Sequence, residues 1–295
     1  MILQHYHNIL GSYYGEDVEL DDFDMTTLLQ SATGLICVAE YLQSMKAISK
    51  SIDNKLLSQG PVLYTSIASS PVLWMNTAYS IRSEVILKEA LIHLIGNWNA
   101  IDDRMKDLIH PDMHEVCKVK IEEVINLKRL VNSQILGQYP KHIQREPESS
   151  EIGRASYSND IMTWMALAVY RQYIGQAIAR GLTVEARDGG YDFYQKLNEG
   201  GQSYLDRVMV RQFHYRFPMS SKGQVVIENH LSDLKEMMKP FIRDLMCNRS
   251  QLDVNQYPVP YLTCLKVEKS DIPWIRDRLE AKSKKEPEAI PNRTL

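Results

Sequence analysis

The sequence predicts a mainly α fold with very little strand, and three observations predict it. Apolar residues recur at steps of three and four through most of the chain. Prolines and small polar residues stand where helices would start. One segment alone, YLTCLKV at Tyr261–Val267, has the β-branched and aromatic content of a strand.

In chain order, Ile2, Leu3, Tyr6, Ile9, Leu10 and Tyr13 form one stripe that stops at Gly15. The acidic run GEDVELDDFD reads as a solvated loop, and Asp24 is placed to cap the next helix by accepting the free amides of its first turn. Leu28, Leu29, Ala32, Leu35, Ile36, Ala39 and Leu42 then make a wide apolar face, and Met45, Ile48, Ile52 and Leu56 make another that ends before Gly60. Pro61 and Pro71 suit first turns, because proline lacks an amide that would be unsatisfied there anyway. Ser83 is a cap for the helix carrying Val85, Ile86, Ala90, Leu91 and Leu94. A long amphipathic helix is predicted from Asp112 to about Gly137 and a long buried one over Ser158–Arg180. Doubled glycines at Gly189 and Gly200 punctuate YDFYQKLNE, and a last helix runs over Lys222–Met246 with a kink at Pro240. The polar stretch Tyr139–Gly153 is a linker or surface loop and sets a boundary near residue 150. The divisions expected are therefore 1–60, 61–150, 151–280 and a loose tail at 281–295.

At 295 residues, 44% of them hydrophobic, the chain can build a substantial core. A net charge of −3 provides no global basic field for nucleic acid or anionic membrane. The most apolar run, IMTWMALAVY, meets Arg171 well before the roughly 18 residues a membrane span requires. Cys37, Cys117, Cys247 and Cys264 are too scattered for a zinc finger or a disulfide scaffold and read as reduced thiols of a cytoplasmic or nuclear protein. No phosphate loop, nucleophile elbow or dinucleotide fingerprint occurs. His110 and His114 have metal-ligand spacing, but Pro111 between them starts the helix and no third ligand is near. His93 reads as a hydrogen-bonded core histidine. Trp74, Trp98 and Trp164 lie in apolar helical contexts, whereas Trp274 in SDIPWIRDRL reads as a docking residue. No catalytic residue, metal or cofactor is expected.

Tyr14, Gly15, Glu16, Leu28, Leu29, Ala39, Glu40, Tyr41, Leu42, Ile52 and Leu56 together resemble the C-terminal half of a BTB/POZ domain, over residues 2–59. From Leu63 to Trp98 the spacing of Ser66, Pro71, Trp74, Glu89, His93 and Trp98, with the later GRASYSNDIMTWMALAVYRQ and GGQSYLD, looks like the helical region that follows that domain in a group of fungal proteins. The resemblance implies an adaptor-type interaction protein whose N-terminal half, with its sheet and much of its dimer interface, is missing ahead of Met1. The stripe on the first helix would then seek another chain or the downstream helices.

The expectation drawn from all this is a non-catalytic protein–protein interaction module. Its partner is another protein of unknown identity, with self-association as a further option, and neither membrane nor nucleic acid is the default. Ile2, Tyr6, Ile9, Tyr13 and Trp274 are the interaction candidates. Two rival readings stay open: a small-molecule binder or enzyme with a cavity near Tyr191, Tyr204, Arg211 and His214, and a nuclear regulator contacting nucleic acid.

Overall fold

The computed structural model describes residues 2–140, 143, 154–216 and 218–283. Among them the chain forms α1 (Ile2–Tyr13), α2 (Met25–Tyr41), α3 (Met45–Leu57), α4 (Pro61–Ser69), α5 (Pro71–Ile81), α6 (Glu84–Gly96) and a single turn, α7 (Asp103–Lys106). There follow α8 (Pro111–Gly137), α9 (Arg154–Ala179), α10 (Tyr191–Glu199), α11 (Arg207–Arg216), α12 (Ser221–Ile242), a 3₁₀ turn at Lys269–Asp271 and α13 (Pro273–Ser283). No strand occurs among the described residues, so the mainly helical fold is as the periodicity predicted.

The start signals act locally as chemistry dictates. The Asp24 carboxylate accepts from the Thr27 amide at 2.7 Å while the Asp24 amide donates to the Thr27 hydroxyl at 3.1 Å, closing a reciprocal cap on α2. Ser83 accepts from the Ile86 amide and starts α6 directly after α5, whose cap Arg82 takes the left-handed conformation at φ 58°. Pro61, Pro71 and Pro111 occupy the first turns of α4, α5 and α8. Gly190 (φ 88°) and Gly200 (φ 68°) bracket α10 in conformations that a side chain disfavours. Pro240 sits inside the final turns of α12.

Two apolar cores result. The first gathers α2 to α6 with the N-terminal half of α8, including Met113, Cys117 and Val124, and reaches the chain end through Leu265 and Ile272. The second gathers α9, α10 and α12 with the C-terminal half of α8 through Val131 and Ile135. Helix α8 therefore belongs to both. The three N-terminal helices do not close a unit of their own: Ile48, Ile52 and Leu56 of α3 are fully buried in the first core, and α2 and α3 pack on α5. Each such aliphatic side chain contributes about 2 kcal/mol of hydrophobic stabilisation.

The predicted strand is a departure. Residues 261–267 form no strand: the segment is laid across helices, and the Thr263 carbonyl accepts a backbone hydrogen bond from the Arg249 amide at 3.0 Å. Leu262 and Cys264 enter the second core and Leu265 the first, so its apolar content comes from being buried between two cores. The path runs so close to α6 that a Cβ on Gly96 would lie 2.3 Å from the Leu262 carbonyl oxygen. The predicted linker and the boundary near residue 150 fall outside the described residues apart from Tyr139, Pro140 and Ile143, as does the tail beyond Ser283.

Candidate binding cleft

Tyr79 lies in the last turn of α5, and the chain around it is fixed from three sides. Asn76, one turn earlier, donates its amide to the Leu108 carbonyl at 2.7 Å and accepts from the His110 amide at 3.1 Å, tying the loop before α8 to α5. His110 then caps α8, its Nδ1 accepting from the Asp112 amide at 3.2 Å. From α2, Glu40 accepts a 2.7 Å hydrogen bond from the Ser80 hydroxyl. From the chain end, Asp271 meets the Lys120 ammonium of α8 at 2.8 Å just before Pro273 opens α13. Burial alone would lower the Lys120 pKa, but the hydrogen bonds it donates to Asp271 and Glu123, with their charges, outweigh it and raise it.

These anchors bring three rings together. The Tyr79 ring stacks on His110 with centroids 4.0 Å apart, and Trp274 meets Tyr79 edge to face at 6.1 Å. The Tyr79 hydroxyl donates to the Asp112 carboxylate. Partial burial and that carboxylate push the phenol up to about 12, so it stays a neutral donor. Around the rings lies an open cleft of about 1770 Å³ between the α2–α3 turn, α5, the start of α8 and α13. Its rim carries charges of both signs, with Lys46, Arg82 and Arg276 among the cations and Asp107, Glu115 and Asp277 among the anions.

Trp274 is the sequence candidate that the structure sets in this cleft; it is half-buried and packs on the first core. The other four lie on α1 and are divided. Ile9 is 1% exposed and packs inward, whereas Ile2, Tyr6 and Tyr13 face outward. Tyr13 reaches the α2–α3 turn, its hydroxyl donating to Ser44 Oγ at 2.9 Å. Of the tryptophans expected in cores, Trp74 is fully buried and bonded to Ser66, Trp98 is half-buried under the Lys106 ammonium, and Trp164 is exposed. Tyr79 and Arg82 were missed, and His110 was read only for its spacing to His114, because nothing in the local sequence links residues 76–82 to 107–115 and 273–278.

The residues of the small-molecule reading are not gathered into one cavity. Tyr204 is buried against Tyr170 and Tyr173, His214 is buried with neither ring nitrogen hydrogen-bonded, and Arg211 is exposed. Tyr191 lines a separate recess of about 100 Å³ beside Tyr261 and Thr263. His93 is a core histidine: its Nε2 lies 3.0 Å from the Glu89 carboxylate and its Nδ1 3.0 Å from the Tyr261 hydroxyl. An Nε2–H tautomer satisfies both contacts. Glu89 also accepts from the amides of Gln251 and Leu252, so this network fastens the C-terminal segment to α6. All four thiols are free, and burial pushes Cys117 up to about 12 and Cys264 up to about 11, which makes both poor nucleophiles. No cluster of three metal-ligating side chains occurs among the described residues.

The family model that matches the chain is that of an FF domain of the fungal type, over residues 140–244. No curated protein and no solved structure matches. Within the matched span the described helices are α9, α10, α11 and α12, built on the second core. This overturns the BTB/POZ resemblance: the family recognised is a different one and lies elsewhere in the chain. The physical reason is visible in the residues that carried it. Leu28, Ala39, Ile52 and Leu56 are fully buried positions of ordinary amphipathic helices, and Gly15 is a helix-ending turn at φ 85°. Any packed run of three short helices demands such a pattern. No helix among the described residues is long and apolar enough to cross a membrane.

Proposed function

We propose that this protein works by holding another protein, and that the cleft between α5, α8 and α13 is a docking site. The cleft itself is the observation that carries this reading. At about 1770 Å³ it exceeds the roughly 300–1,000 Å³ of small-molecule pockets, and it is open along its length. Its floor is aromatic and its rim charged, the composition of interfaces whose few anchors supply most of the binding energy. The match to an FF domain supports the same class of function, since that family is one of protein-interaction modules. The smaller recesses near α10 and α12, of about 180 and 250 Å³, fall below the size range for ligands.

The test is site-specific photo-crosslinking in cell extract. A photoreactive side chain in place of Trp274 is expected to give a discrete protein adduct, and the same group in place of the exposed Tyr215 on α11 is expected to give none. Equal labelling from both positions, or none from position 274, would count against the cleft.

A further inference from the structure

Helix α1 is docked with its polarity inverted. The side chains it turns toward α2 and the acidic loop are His5, Asn8 and Ile9; Asn8 exchanges hydrogen bonds with the Glu19 backbone, at 2.7 Å to the carbonyl and 3.3 Å from the amide. Its outward arc carries Ile2, Leu3, Tyr6, Leu10, Tyr13 and Tyr14, with Leu3 84% and Tyr14 88% exposed. At 3.6 residues per turn the five on the helix fall within about 100° of one another, a continuous stripe that Tyr14 extends into the turn. A surface helix normally presents its polar face to water, so an apolar arc facing outward marks a contact surface.

We propose that this arc is a homodimer interface, in which α1 packs antiparallel against α1 of a second copy. Two observations select a second copy over an unrelated protein. The first is charge: ILQHYHNILGSY contains no Asp, Glu, Lys or Arg. Across a two-fold axis each side chain meets its own kind or a near neighbour, so any charge on the arc would face a like charge. A dedicated partner is steered by complementary charges instead, and the arc offers none. On the other side of the helix Glu19 receives Gln4 and Glu16 packs beside Gly11. The second observation is area. Three tyrosines and three aliphatic side chains at these exposures present on the order of 800 Å², which matches what each partner buries in a standard interface.

The test is sedimentation velocity on the full 295-residue chain over a range of concentrations. A reversible monomer–dimer equilibrium is expected. Leu10→Glu and Leu10→Lys each place a charge on the two-fold contact and should weaken dimerisation by more than about tenfold. An equimolar mixture of the two should recover the dimer, because opposite charges then meet. Leu10 is exposed in the monomer, so the melting temperature at concentrations where the chain is monomeric should not change, and recovery on mixing separates an interface effect from misfolding. A chain that stays monomeric at about 100 µM would overturn the proposal. A dimer unaffected by either variant, or variants whose mixture fails to recover it, would do the same.

Discussion

His93 has partners that are remote in sequence, Tyr261 lying 168 positions away, and its removal is the clearest single-residue experiment. His93→Ala leaves the Glu89 carboxylate, only 2% exposed, with the Gln251 and Leu252 amides alone, and frees Tyr261 and the segment behind it. We expect a loss of about 3 kcal/mol in urea unfolding, because the change opens a cavity in the core and takes one hydrogen bond from each of two buried groups. Tyr261→Phe keeps the ring in place and should cost about 1 kcal/mol. His5 supplies a pH dependence. Burial, followed by the positive N-terminus, lowers its pKa from 6.5, and its Nδ1 has no hydrogen-bond partner. The folded state therefore prefers the neutral ring. Its stabilisation is fully present above pH 6.5 and is lost as pH falls from there through the folded value. The protection factors of the α1 amides, taken against the intrinsic exchange rate at each pH, should fall on acidification below pH 6.5, and His5→Gln should remove that dependence.

Among the elements, α6 and the extended segment that crosses it are the tightest junction. Gly96→Ala puts a methyl group 2.3 Å from the Leu262 carbonyl oxygen and 2.8 Å from the Tyr261 ring. The backbone on one side and a buried ring on the other leave little room to relax, so a cost of about 2 kcal/mol is expected in thermal unfolding. Helices α2, α3, α5, α6, α8 and α12 were legible in the sequence because their caps and 3.6-residue periods agree with their tertiary burial. The segment at 261–267 was not, since a run buried on both sides has the same composition whether or not it pairs as a strand. Helix α1 and its outward stripe were legible too, with Ile9 alone of the stripe turned inward. Asn8 and His5 won the inward positions beside it through hydrogen bonding and fit, with His5 seated against Gly34, and periodicity reports only that a face is apolar. The cleft was legible only at Trp274; the stacking of Tyr79 on His110 depends on Asn76 bridging to the loop before α8, a contact no local pattern records.

At the scale of the molecule, the shared helix α8 couples the two cores. Its 27 residues bury Met113, Cys117 and Val124 in one and Val131 and Ile135 in the other. Residues 261–265 stitch the same two cores a second time. We therefore expect one cooperative transition in guanidinium, with tryptophan fluorescence and far-UV circular dichroism sharing a midpoint; separate transitions would mean that the cores unfold independently. The central proposal, that the cleft beside Trp274 receives a protein, is tested most directly by hydrogen exchange on the chain with and without the protein crosslinked from position 274. Slowed exchange at residues 76–82, 107–115 and 273–278 is the result expected. Protection confined to α9–α12, with those three stretches unchanged, would contradict it.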